Sequence, residues 1–298
     1  MSEKTLSWPT ARSAPWSRAR QARVWRFWRV FRRHRASVAA LGALLATVVL
    51  APLAVTVLPL DPEALSADVL ARPSRAHPLG SDYLGRDVLA RVLHGINTSL
   101  VVGVAVALMA ASIGVVLGTV AGYHGGWVDH AIMRVADALL IIPTFFLVLS
   151  IAFVFGGRLI TVVVMLGVTL WPQISRIVRA EVLTLKQEAF VQSARAIGAS
   201  DTRVMFRDIV PNTMPPVIAM IALLASAGIL TEASLSFLGV GDPNVVSLGQ
   251  MLTSGLEYAT TAWWVPAFPG AAIFALVFIL NVLGDGLNVA LSPRMWNV

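Results

Sequence analysis

The chain alternates long apolar runs with short polar punctuation. Runs near 36–58, 98–122, 134–156, 159–178, 215–240 and 266–290 are each long enough to cross a hydrocarbon core, which takes roughly 20 apolar residues in a helix. Trp171, Pro172 and Gln173 interrupt the fourth near its end; a proline there is tolerated where neighbours satisfy the freed carbonyl. The pattern predicts an all-α, polytopic membrane protein with six transmembrane helices. About 40 residues separate the first run from the second, which predicts a five-helix core plus an added N-terminal helix. Three parts are expected: a basic segment 1–35, a first helix with its following segment 36–96, and the core 97–298.

Two runs carry informative faces. In the second, Gly114, Gly118 and Gly122 recur every fourth residue, a spacing that lets two membrane helices approach closely. In the fifth, Ala225, Gly228, Glu232, Ser236 and Gly239 share one helical face that is small, polar and ionisable at its centre. A glutamate at membrane depth generally faces a bundle interior or a water-filled path. Glu232 is therefore a candidate for a translocation path or subunit seam, the alternative being a hydrogen-bonded structural glutamate. Asn281, Asp285 and Asn288 share a face near the end of the sixth run, where capping or interfacial anchoring is an equal alternative.

Composition supports the membrane reading: 57% of residues are hydrophobic and 13% charged, against about a quarter charged in soluble domains. There is no cysteine, which excludes disulfides, thiolate metal sites and cysteine nucleophiles. The net charge of +7 would suit nucleic acid, but its distribution argues otherwise. Residues 1–35 hold ten positive side chains, and the 176–214 loop holds Arg176, Arg179, Lys186, Arg195, Arg203 and Arg207. Segment 240–265 has none, and 60–96 has four against five acids. By the positive-inside bias both termini and the 176–214 loop face the cytoplasm, and 60–96 and 240–265 lie outside. The Arg/Trp-rich N-terminus, with Trp16, Trp25, Trp28 and Phe31, suits either a helix in an anionic leaflet or a simple topogenic flank.

Catalytic chemistry is missing. Lys4 and Lys186 are the only lysines, and neither lies in a phosphate-loop context. His124 and His130 fit no common zinc spacing. The chain is expected to be no enzyme by itself, with no metal and no cofactor of its own.

The charged stretch at about 180–214 breaks the apolar pattern. A helical pattern over 182–197 places Phe190, Ala194 and Ile197 on one face. Gly198 is placed to end that helix, Ser200 to cap a second one starting at Asp201, and Pro211, Pro215 and Pro216 to stop it. A DNA-binding helix-turn-helix is disfavoured, because tethering to two spans leaves no room for its supporting helix. A helix offered to a cytoplasmic partner is the functional reading, and a plain amphipathic surface loop the bland one.

This stretch resembles the "EAA" loop of ABC importer permeases, E-A-A-x3-G-x9-I-x-L-P, with Gln192-Ser193-Ala194, Gly198 and Pro211 in register. Gln192, Ser193, Asp208 and Val210 depart from that consensus. "HPLGSDYLGRDVLARVLHG", "ADALLIIPTFFL", "EASLSFLGVG" and "FPGAAIFALVFILNVLGDGLNVAL" are similar to the dipeptide/oligopeptide/nickel group, and within it to the C-type subunit, over about 36–294. Its tail departs at Asn288, Val289 and Ser292, and Leu248 stands where an aromatic is common. The resemblance implies a multi-pass protein of the bacterial inner membrane, paired with a homologous second permease. It also implies two cytoplasmic ATPase subunits, which bind ATP and Mg, and an extracytoplasmic substrate-binding protein. Carried over, residues Gln192, Ser193, Ala194, Arg195, Gly198, Ala199, Ser200, Asp201 and Arg203, with Pro211 beyond them, make the ATPase contact. The implied cargo is a dipeptide or oligopeptide, with nickel chelates and glutathione-like compounds as alternatives. A proton-coupled secondary transporter using Glu232 and a non-transporting scaffold are the rival classes.

Overall fold

Proline and glycine decide where the apolar runs become separate helices. The computed structural model describes residues 28–57 and 61–291. In chain order the helices are α1 (Arg35–Val57), α2 (Val88–His124), α3 (Gly126–Ile141), α4 (Thr144–Phe155) and α5 (Leu159–Leu185). They continue with α6 (Ala189–Ala196), α7 (Asp201–Phe237), α8 (Leu248–Leu256) and α9 (Trp264–Leu291). Five of them, α1, α2, α5, α7 and α9, are long and apolar enough to cross a membrane. The pair α3 and α4 makes a sixth span if its two arms are counted together.

The expected straight span at 134–156 is thus corrected to a pair bent by 83°. Pro143 is the cause: it forces the preceding residue out of helical geometry, and Ile142 is extended at φ −82°, ψ 124°. The proline in the fourth run is tolerated, as expected. Trp171 and Pro172 are buried inside a continuous α5.

The prolines after the charged stretch also fail to stop their helix. α7 runs unbroken past Pro211, Pro215 and Pro216; a π-helical turn at Val204–Ile209 changes the hydrogen-bond register just before Pro211, while Pro215 and Pro216 are accommodated inside the α-helix. Pro211 then falls in the first turn of the α-helical part, where the missing N–H costs nothing.

The centre of the bundle is the packing of α2 against α5 and α7. Opposite α5, a Cβ added to Gly114 would lie 2.7 Å from Ile174 Cβ, and one added to Gly118 would lie 2.6 Å from the Ser175 carbonyl. Only glycine admits such an approach, as the four-residue spacing predicts. Opposite α7, Gly103 meets Ile229 and Gly228 meets Val106. α1 lies outside this core and is fastened to α9, with Ser37 Oγ donating to the Val282 carbonyl at 3.4 Å. Phe31 is buried with Ala40, Leu283 and Ala290, so it packs on protein instead of lying at headgroup level. Trp16 and Trp25 lie outside the described residues.

α2 has 37 residues and is roughly 55 Å long at about 1.5 Å per residue. Its ends carry different structures. Residues 61–87 fold over its N-terminal end, and Trp264 Nε1, at the start of α9, donates to the Ser81 carbonyl there at 3.2 Å. The junction of α5, α6 and α7 sits at its C-terminal end, at Tyr123.

Candidate functional site

α6 ends as a Schellman turn. The Ala199 N–H donates to the Ala194 carbonyl at 3.0 Å and the Gly198 N–H to the Arg195 carbonyl at 2.9 Å. Gly198 holds φ +79°, the left-handed geometry that this turn requires. Ser200 enters α7 with extended backbone and its carbonyl accepts from Val204, but its side chain makes no capping bond, contrary to expectation. The single helix expected over 182–197 is two: α5 stops at Leu185, and a turn over 186–188 re-aims the chain into α6. Gln192 Nε2 donates to the Lys186 carbonyl at 3.1 Å and satisfies one free end of α5.

The pair is anchored on one side only. Val191, Val204 and Met205 are buried in the core, while Phe190 is 43% and Ile197 84% exposed. Gln192, Ser193, Gly198, Ser200, Asp201, Arg203 and Pro211 are exposed, and Ala194, Arg195 and Ala199 are half-buried. On the Phe190–Ala194–Ile197 face, Ala194 is half-buried while Phe190 and Ile197 point largely away from this chain.

Tyr123, which the sequence pattern did not single out, holds the pair to α2. Its hydroxyl donates to Asp201 Oδ1, and its carbonyl accepts from Lys186 Nζ. Its ring lies 4.8 Å from the Arg195 guanidinium carbon and 5.4 Å from Lys186 Nζ. One aromatic side chain thus contacts the end of α5, α6 and the start of α7. The available signal was a tyrosine directly after the last glycine of the stripe and shortly before Gly125-Gly126.

Glu232 lies near the opposite end of α7, 3% exposed. Its Oε1 accepts from Ser236 Oγ at 2.7 Å and from Ser247 Oγ at 2.9 Å, and its Oε2 has no hydrogen-bond partner among the described residues. Ser247 caps α8 through the Gly249 N–H, so the carboxylate ties α7 to the start of α8. Of the same face, Ala225 and Gly228 pack on α2, and Gly239 ends the helix at φ +80°. Asn281 accepts from Ser226 Oγ at 3.4 Å, whereas Asp285 and Asn288 are exposed.

A polar cavity of about 790 Å³ opens at this end, lined by residues 62–98 and 243–254. Arg86 and Arg91 stand in its wall, with side chains 10% and 7% exposed. Sequence reasoning saw only balanced charge here, since it could not show that Glu63 and Asp82 fold onto both arginines.

With this geometry in place, residues 114–297 match the family model described as "Binding-protein-dependent transport system inner membrane component". The chain belongs to that family. It is 39% identical over 224 residues to the glutathione transport system permease protein of Pectobacterium atrosepticum, covering 75% of this chain and 74% of that one. It is 38% identical to the oligopeptide transport system permease protein of Bacillus subtilis, covering 75% and 73%. To the di/tripeptide transport system permease protein of Pseudomonas aeruginosa it is 36% identical, covering 85% and 86%. A solved inward-facing methionine ABC transporter shares the fold at 18% identity and TM-score 0.52, covering 69% of this chain and 96% of that one. This permease is accordingly the membrane-spanning, non-catalytic subunit of an ABC importer, and ATP hydrolysis belongs to partner ATPases.

Proposed function

We propose that this permease carries short peptides, glutathione-like tripeptides included, across the bacterial inner membrane. The exposed Phe190–Ile197 face of α6 docks in a groove of a cytoplasmic ATPase subunit. Two ATPases, a homologous second permease and an extracytoplasmic binding protein complete the assembly. The observation that carries the docking is the 84% exposure of Ile197 on a helix pair otherwise fastened by Tyr123, Val191 and Val204. An exposed apolar side chain on a held helix is what a groove-binding anchor requires.

The sidedness follows from the same assignment. The α6 end is cytoplasmic, as are both termini, and residues 61–87 and 242–258 are outside, next to the binding protein. ATP binding closes the ATPase pair, and the docked helices pass that motion to α2, α5 and α7. For cargo, three relatives named for glutathione, oligopeptide and di/tripeptide transport support a peptide.

The test is reconstitution of the full complex in proteoliposomes with its binding protein. ATP-dependent accumulation of labelled dipeptide or tripeptide supports the reading. Mass spectrometry of the ligand that purifies with the binding protein checks it independently. A non-peptide ligand there, with no peptide uptake, overturns the cargo assignment.

A further inference from the structure

The outer cavity holds two arginines that share one carboxylate. Arg91 Nη1 donates to Glu63 Oε1 at 2.9 Å, and Arg86 Nη1 donates to Glu63 Oε2 at 3.0 Å. The partners differ in burial: the Glu63 side chain is 60% exposed, while the arginines are nearly covered. Arg86 is further fixed by Asp82, whose Oδ2 accepts from its Nε at 2.7 Å, and Arg91 by the Pro62 carbonyl at 3.3 Å. The cations are therefore held rigidly, and the acid is an exposed side chain laid across them. Neither Nη2 has an acceptor among the described residues.

We propose that Arg86 and Arg91 form a carboxylate-binding station for peptide substrates, and that Glu63 occupies it as a resident surrogate which the peptide's C-terminal carboxylate displaces. This assignment rests on the peptide reading above. Paired, pre-placed guanidinium groups are suited to a carboxylate, because each presents N–H donors in a fixed fork. The cavity has the size of a small-molecule site, about 300 to 1,000 Å³. Beyond the arginines and Glu63 its lining mixes two prolines and two valines with polar side chains, of which Asn97, Thr98, Asn244 and Gln250 are able to meet peptide amides. A second hollow of about 300 Å³ shares Tyr83, Gln250 and Ser254 with the first, and it contains Glu257. A peptide lying across both would bring its carboxylate to the arginines and its ammonium toward Glu257.

Glu63 also gives the station a way to release. Its carboxylate competes at high local concentration, so the peptide is held only while it is supplied from outside and leaves when Glu63 returns. The station is a stop on the route in and does not retain its cargo.

The experiment measures binding of dialanine, and of its C-terminal amide as control, to the permease–ATPase complex in nanodiscs without the binding protein. Glu63→Gln removes the competing charge and keeps the side chain's shape and exposure. Dialanine is expected to bind this variant about tenfold more tightly than wild type, a difference of one factor of ten in Kd. The amide should bind neither form better than the other. Equal binding of acid and amide to Glu63→Gln overturns the proposal, as does unchanged or weakened dialanine binding. If peptide uptake by the wild-type complex is intact while either of those results is found, the station falls and the peptide reading stands. If the wild type takes up no peptide, that reading falls instead, and a carboxylate-selective gain in Glu63→Gln still supports the station as an anion site.

Discussion

The guanidinium carbon of Arg195 lies 4.8 Å from the centre of the Tyr123 ring, so the last turn of α6 rests on the last turn of α2. The same tyrosine bonds Asp201 through its hydroxyl. Replacing Tyr123 with Phe keeps the ring and removes the hydroxyl; a lost hydrogen bond to a charged group costs about 1.5 to 3 kcal/mol where buried. Tyr123→Leu removes the cation–π contacts as well, another 0.5 to 2 kcal/mol or so. The expected order of binding-protein-stimulated ATP hydrolysis is wild type, then Phe, then Leu, with subunit assembly retained in the Phe variant. Equal stimulated rates in all three would show that the clasp does not transmit.

Gly198→Val places a β-branched side chain at φ +79°. The left-handed conformation costs a non-glycine residue about 1 to 2 kcal/mol, and more with β-branching. No neighbouring atom lies within 4 Å of an added Cβ, so the effect is conformational and not steric. The complex should assemble while stimulated hydrolysis and uptake fall. Gly198→Asn, which tolerates this region better, should recover part of both.

Phe190 and Ile197 contribute little to this chain's own core because both are exposed. Phe190→Ser with Ile197→Ser should leave the unfolding free energy of the isolated permease within about 0.5 kcal/mol of wild type. ATPase subunits should no longer co-purify with it. Retained co-purification would place the docking surface elsewhere.

Glu232→Gln and Glu232→Leu separate charge from hydrogen bonding. Gln keeps the Oε1 acceptor for Ser236 and Ser247, whereas Leu leaves two buried hydroxyls without it. Each unsatisfied group costs about 1 to 3 kcal/mol. The Leu variant should be the less stable by thermal unfolding, with faster hydrogen exchange in α8. If Gln also abolishes uptake at unchanged stability, the charge itself acts in transport.

His77 lies between two carboxylates, with Nδ1 2.9 Å from Asp87 Oδ2 and Nε2 3.4 Å from Asp68 Oδ2. The hydrogen bond to Asp87 is the main cause that raises its pKa above the ordinary 6.5. A proton held more tightly in the folded state stabilises it fully below the unfolded pKa, and that stability is lost as pH rises through the higher folded value. Asp87 also caps α2, so exchange of the first-turn amides of α2 should speed up, beyond the intrinsic rate, as pH rises above 6.5 through the higher folded value. His77→Gln should remove that extra dependence.

Much of the bundle was legible from periodicity, because a membrane helix must satisfy its backbone internally and so announces itself as a run of fixed length. The glycine stripe at 114, 118 and 122 likewise named its own use. The failures share a cause. Pro143 breaks its helix although the pattern did not mark it, and Pro211, Pro215 and Pro216, expected to stop a helix, lie inside α7, whereas Pro172 is absorbed as expected. Which outcome occurs depends on neighbouring packing, which spacing does not encode. Tyr123 and the Glu63–Arg86–Arg91 cluster were invisible for another reason: each depends on contacts between distant positions, such as Tyr123 and Asp201, 78 positions apart.

α2 and α5 approach closely at Gly114 and Gly118, where the Ile174 and Val178 side chains and the Trp171 and Ser175 carbonyls occupy the space a Cβ would need. Rolling either helix against the other meets those atoms at once. α5 leads directly into the exposed helix pair, and α2 grips that pair through Tyr123. If the proposed ATPase docks at Ile197, a push there passes through Tyr123 and this close contact and moves α2 and α5 together, toward the end where α2 begins at Asp87 beside the arginines.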